Sequence, residues 1–174
     1  MKLVITSLFS LSLVFSSASL KIGEKLKYSA HFSGVPAADA SLEVIGKEKL
    51  NRASAYHVRF TARSKGLINY LYPINDRIDL WLNEDSLLTV KELLQIREGN
   101  YKKSQKMIFN HNENFVVLNS DTLTIPDNAH SPYALFYFLR NKNLKLAKLN
   151  TLHTTSGKKT TTLKVEIEKD IKVN

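Results

Sequence analysis

The chain contains no cysteine. That removes thiol catalysis, disulfide stapling and thiolate-bound metal together, and it leaves packing to hold whatever fold forms. Structure-breaking residues are also sparse, with four prolines and six glycines among 174 residues. No low-complexity linker divides the chain and no internal repeat appears, so a length that one hydrophobic core can serve reads as one domain. Long apolar runs are confined to the start. "MKLVITSLFSLSLVFSSASLK" carries one lysine, then apolar residues from Leu3 to Phe15, then Ser16, Ser17, Ala18 and Ser19. This is the order of a secretory signal peptide, with 1–19 removed and 20–174 left as a single exported domain. The apolar run is shorter than the ~20 residues of a bilayer span, and no cysteine follows it to carry a lipid. The expected location is periplasmic or otherwise extracytoplasmic, soluble after cleavage, with membrane association at most peripheral.

Negative charge is the scarcer sign. Sixteen Asp and Glu face twenty-five Lys and Arg, a formal net charge of +9. An excess of that size fits an anionic partner, but export argues against nucleic acid. The lysines are scattered through the chain rather than gathered in one block, so a solvated basic surface is the plainer reading. Hydrophobic residues at 43% and charged residues at 24% are ordinary globular usage, and a sizeable core is available.

Apolar residues recur at every second position. Leu26, Tyr28, Ala30 and Phe32 alternate with Lys25, Lys27, Ser29 and His31, and Tyr56, Val58, Phe60 and Ala62 alternate with polar neighbours. Ala40, Leu42 and Val44 repeat the pattern after a turn at Gly34 and Pro36. Period two with short turns predicts antiparallel strands, one face buried and one wet. Residues 87–109 read as a hairpin around Gly99 and Asn100. A two-residue loop sets Arg97 opposite Lys102, a like-charge pair, whereas a one-residue slip sets Glu98 there; cross-strand energetics favour the slip. "HNEN" at 111–114 turns the chain into a strand at Phe115 to Leu118.

"HSPYALFYFLRNKN" predicts the one helix, at about 131–142, with Ser131 as N-cap and Pro132 at the first helical position. Ala134 to Leu139 are apolar without a polar stripe, so this helix needs burial on most sides, with Phe136 or Tyr137, and Leu139, in the core. The last segment predicts a hairpin around Ser156 and Gly157, with Leu163, Val165, Ile167 and Lys169 on one face. The fold class is mainly β: a curled antiparallel sheet or incomplete barrel with one buried helix.

Four stretches, "GEKLKYSAHFSGVPAADASLEV", "LYPINDRID", "IREGNYKKSQKMIFNH" and "SPYALFYFLR", follow one another in an order that resembles the bacterial exported family called domain of unknown function 3108. The resemblance spans nearly the whole chain after the signal segment. It implies an envelope location and a mainly antiparallel β fold, and it implies no activity. Ala38 and Ser131 stand where the family pattern has a glycine and an acidic residue. Family members usually continue for several more strands, which leaves a sheet lacking its C-terminal strands as one expectation.

Residues with chemistry are few. In "NDRID", Asp76 and Asp79 project to opposite faces of a strand and cannot flank one substrate. Arg77 and Asp79 share a face with Trp81, which reads as a sheet corner rather than an acid pair. His31, His57, His111, His130 and His153 lack the short spacings of metal ligands, no nucleophile elbow occurs, and "SGKKT" reads as a hairpin tip rather than a phosphate loop. No catalytic residue, metal or cofactor is therefore assigned. The basic ribbon Arg97, Lys102, Lys103 and Lys106 is the best candidate for an anionic partner beside its plainer role as a guarded edge. If a ligand is held, Tyr72, Asp76, Arg77, Arg97 and Arg140 are its polar candidates, at the mouth between helix and sheet. The leading expectation is a non-enzymatic exported domain binding an envelope lipid, glycan or protein partner. The alternatives are an enzyme acting on an envelope glycan or lipid, and a structural subunit of an envelope assembly.

Overall fold

A computed structural model describes residues 20–50, 53–141 and 150–165. The signal-like segment 1–19 lies outside the described residues, as do Ile167 and Lys169. Eight strands run in chain order as one antiparallel meander: β1 (Lys25–Phe32), β2 (Val35–Leu50), β3 (Ala53–Ser64), β4 (Asn75–Asn83), β5 (Thr89–Glu98), β6 (Tyr101–Asn110), β7 (Phe115–Leu118) and β8 (Asp121–Thr124). Among the described residues the sheet does not close into a barrel, and β1 and β8 are its edges. A six-residue helix, α1 (Gly66–Leu71), sits between β3 and β4. The sequence predicts only a corner here, because six residues are too few to display a helical period.

Turn chemistry fixes the register. Gly34 and Gly99 have φ of 79° and 55°, the left-handed backbone that a two-residue hairpin loop requires. Asn119 turns β7 into β8 at φ 53°, and its side chain accepts the Lys106 N–H at 3.0 Å. At the β5–β6 hairpin the structure places Arg97 opposite Lys102 and Glu98 opposite Tyr101, so the favoured slip is corrected. A slip would invert one strand of the pair, turning either Leu94 or Gln105 and Met107, all buried, out of the core and swinging Lys or Arg side chains into it. One like-charge pair on a wet face costs far less than that.

Period two then sorts the sheet into two faces. The inner face carries Leu42, Val44, Val58, Ile78, Leu80, Leu82 and Leu94 in one buried cluster. Met107, Phe109, Val116 and Leu118 form a second, toward β8. The chain itself covers this face. The expected single helix is a 3-10 turn at Pro132–Ala134 followed by α2 (Leu135–Asn141), with Ser131 capping by accepting the Tyr133 N–H. Tyr137 is fully buried, and Phe136 and Leu139 pack half-buried against the same cluster. A separate hairpin, β9 (Asn150–Ser156) and β10 (Lys159–Val165), turns at Gly157 and Lys158. Its backbone brackets His130, which donates to the His153 carbonyl and accepts from the Thr155 N–H, both at 2.8 Å. Lys158 pairs with Asp121 at 2.9 Å and fixes the hairpin tip to β8.

Candidate functional site

With α2 and the β9–β10 hairpin packed against the inner face, the outer face is the open side of the sheet among the described residues. Its residues form rows across the strands. One row runs Asp39, Arg63, Asn75 and then Arg97 and Lys102. The next runs Ser41, Thr61, Arg77, Gln95 and Ser104, and the third Glu43, Arg59, Asp79, Leu93 and Lys106. A fourth holds His57, Trp81, Lys91 and Ile108.

Asp79 is the hub of this face. Its buried carboxylate accepts from Arg59 Nε at 2.7 Å, Arg77 Nε at 2.6 Å and His57 Nε2 at 2.8 Å. Burial alone would push its pKa up. The hydrogen bonds from Arg77, His57 and Arg59 outweigh that and hold the carboxyl below the ordinary range. His57 stacks on Trp81 with ring centroids 4.4 Å apart, and its Nδ1 faces Glu48 at 3.0 Å. Trp81 donates to Glu48 at 2.8 Å, and the Lys91 ammonium sits over its other side at 4.0 Å from the ring centroid. Each arginine spends Nε on Asp79, and the Arg77 side chain stays half exposed while that of Arg59 is about a quarter exposed.

Two depressions flank this hub. One of about 710 Å³ lies over β1–β3, with Lys27, Ser29, Ser41, Thr61, Arg63 and Lys65 among its lining residues. Within it Lys65 and Ser29 both donate to Asp39 at 2.7 Å. The other, about 370 Å³, is lined by Gln95, Arg97, Lys102 and Ser104 with Ile96 and Lys103.

The residues proposed from sequence separate. Arg77 and Arg97 lie on the outer face, whereas Arg140, at the end of α2, makes a two-pronged ion pair with Glu24 on the helix side, one contact at 2.8 Å. Asp76 is buried and accepts the Arg97 backbone N–H at 2.9 Å. Glu98 lies beside it, its carboxyl raised first by burial and then by the Asp76 charge. The Tyr72 ring packs on Gly99, where an added Cβ would stand 2.9 Å from it. Tyr72, Asp76 and the Arg97 backbone thus brace the β5–β6 tip. Sequence reasoning found the Arg77–Asp79 pair but missed Arg59 and His57 as its partners. Their period-two parity carried part of the signal; the β3–β4 register was the missing part.

A second polar cluster lies on the inner face. Glu92 accepts from the Ser131 hydroxyl and, at 3.5 Å, from Gln105 Nε2, while the Ser131 N–H donates to Thr89 Oγ1 at 3.1 Å. Glu92 and Ser131 are both fully buried. A nucleophile must meet its substrate, so this pair is a bolt joining the helix start to the sheet rather than a reaction centre. Burial raises the Glu92 carboxyl above its ordinary range, chiefly by desolvation. The folded chain therefore keeps the proton where the unfolded chain has released it. The contribution to stability is full below the unfolded pKa and is lost as pH rises through the folded one. Glu92→Gln removes that titration. Thermal melts should show the variant gaining on the parent as pH rises from 4 toward 8; a constant difference across that range would mean that Glu92 does not titrate with folding.

Among the described residues no helix is long and apolar enough to cross a membrane, and no group of three His, Cys, Asp or Glu side chains is placed to hold a metal ion. No curated protein and no solved structure matches the chain. A family model does, over residues 27–174, from the first strand through the terminal hairpin. The chain belongs to the family described as Protein of unknown function (DUF3108).

Proposed function

We propose that the protein is an exported, non-enzymatic module of the cell envelope that binds an anionic envelope component through the outer face of its sheet. The observation that carries this reading is the Arg97–Lys102 pair, two cations directly opposite each other on neighbouring strands. Like charges in that position are destabilising in an empty sheet, and an anion bridging them reverses the sign. The hydrophobic register sets the two cations opposite each other, and a bridging anion would offset the cost of that pairing. The surroundings agree. On the outer face of β4–β6, Arg77, Lys91, Arg97, Lys102 and Lys106 face Asp79 as the one acid among the described residues, and Asp79 is already shared between two arginines and a histidine. The N-terminal "MKLVITSLFSLSLVFSSAS" supports export, which brings such a surface to phosphate- and carboxylate-bearing lipids, glycans and proteins.

Long-chain inorganic polyphosphate is a suitable probe because it offers charge without an apolar part. Binding should be measurable at low salt, fall steeply as salt screens it, and weaken at least ~tenfold in the double variant Arg97→Glu/Lys102→Glu. Equal binding by parent and variant would remove the outer face from the reading.

A further inference from the structure

The odd-numbered strands β1, β3 and β5 all end at the same end of the meander, so their three connections lie side by side. Those connections are unusually greasy for exposed turns. The β1–β2 tip presents Phe32, 69% exposed, and Val35; α1 presents Leu67, Tyr70, 85% exposed, and Leu71; the β5–β6 tip adds Tyr101. The segments are tied together. Lys65 N–H donates to the Ala37 carbonyl at 2.9 Å, Gly99 N–H donates to the Pro73 carbonyl at 2.8 Å, and Tyr72 bridges the two by resting on Gly99. Most telling is α1 itself. Four of its six residues are large and apolar, and it buries none of them. A helix of that composition has no reason to form on the outside of a sheet unless its apolar side chains meet something other than water.

We propose that this end of the sheet docks on a lipid bilayer, with the three tips entering the headgroup–acyl boundary and the adjoining basic row meeting anionic headgroups. Two features favour a bilayer over a protein partner. The apolar side chains stand on three separate connections along one edge, an arrangement that a flat, deformable surface contacts together. They are also rimmed by cations, with Arg63 at the end of β3 and Arg97 and Lys102 flanking the β5–β6 turn, which complements the negative surface of an anionic leaflet. Tyrosines at Tyr70, Tyr72 and Tyr101 suit the same boundary, because a phenol keeps its ring in the apolar side and its hydroxyl in the wet one. α1 is too short to span anything; it lies in the interface. The electrostatic half of this proposal rests on the outer-face reading, and the apolar half stands apart from it.

Protein purified from its own cells is mixed with vesicles of phosphatidylcholine alone or of phosphatidylcholine with phosphatidylglycerol, and sedimentation gives the bound fraction. Parent should bind the mixed vesicles and bind the neutral ones less. The triple variant Leu67→Ser/Tyr70→Ser/Leu71→Ser should lose at least ~tenfold on mixed vesicles, while its polyphosphate binding and melting temperature match the parent. In a Tyr70→Trp variant, emission should shift to the blue on binding and be quenched by lipids brominated near the headgroup end of their chains. Unchanged vesicle binding in the triple variant, no binding by the parent, or a parent dimer that the triple variant converts to monomer would each overturn docking on a bilayer. Vesicle binding lost only in Arg97→Glu/Lys102→Glu would also overturn it, leaving the outer-face reading intact. A parent that binds no polyphosphate yet shows tip-dependent vesicle binding would overturn that reading alone.

Discussion

Tyr137→Ala is expected to cost about 3–5 kcal/mol of folding stability, the range for removing a large buried aromatic side chain. Tyr137 is 1% exposed at the centre of α2, with the Phe136 ring edge-on to it at 5.5 Å. It belongs to the same buried cluster as Leu42, Val44, Val58 and Ile78 of β2, β3 and β4, so truncation opens a void within that cluster. These three strands are each held in register by a neighbour on both sides, which limits collapse. Burial also pushes the Tyr137 phenol well above its ordinary pKa, so the side chain stays neutral through any ordinary working range. Tyr137→Phe should consequently change far less. Urea unfolding is the measurement: the midpoint should drop with the slope unchanged, and the melting temperature should fall by roughly 10 °C. A variant melting within a degree or two of the parent would make α2 a peripheral strap and leave the inner face without its principal cover.

The helix was legible in the sequence because "SPYALFYFL" combines a cap, a proline at the first helical position and an apolar run that only burial can accommodate. Its partition between a 3-10 turn and α2 was not, nor was the hydrogen bond that ties Ser131 at its start to Glu92, thirty-nine residues away. The strands were legible for a similar reason: alternation is a property of each segment by itself. Register is not. Whether Arg97 faces Lys102 is decided by what Leu94 and Met107 lose on slipping, a term that pairwise charge energetics across the turn leaves out. The same distinction explains the site residues. Arg77 and Asp79 are two apart and share a face whatever the pairing. Arg59 and His57 join them only once β3 is laid against β4 with Arg59 opposite Asp79 and His57 opposite Trp81. The exposed apolar end of the sheet is not legible in sequence because it is assembled from three turns distant in the chain, and α1 is too short to show a helical period.

Asp79→Asn should produce the largest effect on the outer face, a loss of about 2–4 kcal/mol. The change is nearly isosteric, so packing is preserved and the loss is electrostatic. Removing the carboxylate leaves Arg59 and Arg77 converging on a neutral amide whose NH2 group opposes one of them, and deprives His57 Nε2 of its acceptor charge. The cost stays below that of breaking a fully buried pair because Arg77 is half exposed and Arg59 reaches water, so solvent recovers part of it. The pH dependence follows from the depressed carboxyl. The parent's stabilisation by Asp79 is fully present above the unfolded pKa near 4 and is lost as pH falls through the lower folded value. Parent and variant should therefore differ most above pH 5 and converge toward pH 2. Trp81 offers an independent readout because it is the sole tryptophan and stacks on His57. With Asp79 gone the stack loses the group that positions the imidazole, and Trp81 emission should shift to the red as water enters. A variant with parent stability at pH 7 and unchanged emission would show that the arginines are held by the strands alone. The Asp79 carboxylate would then be a bystander, and Arg59 and Arg77 would be free to serve an anion without it.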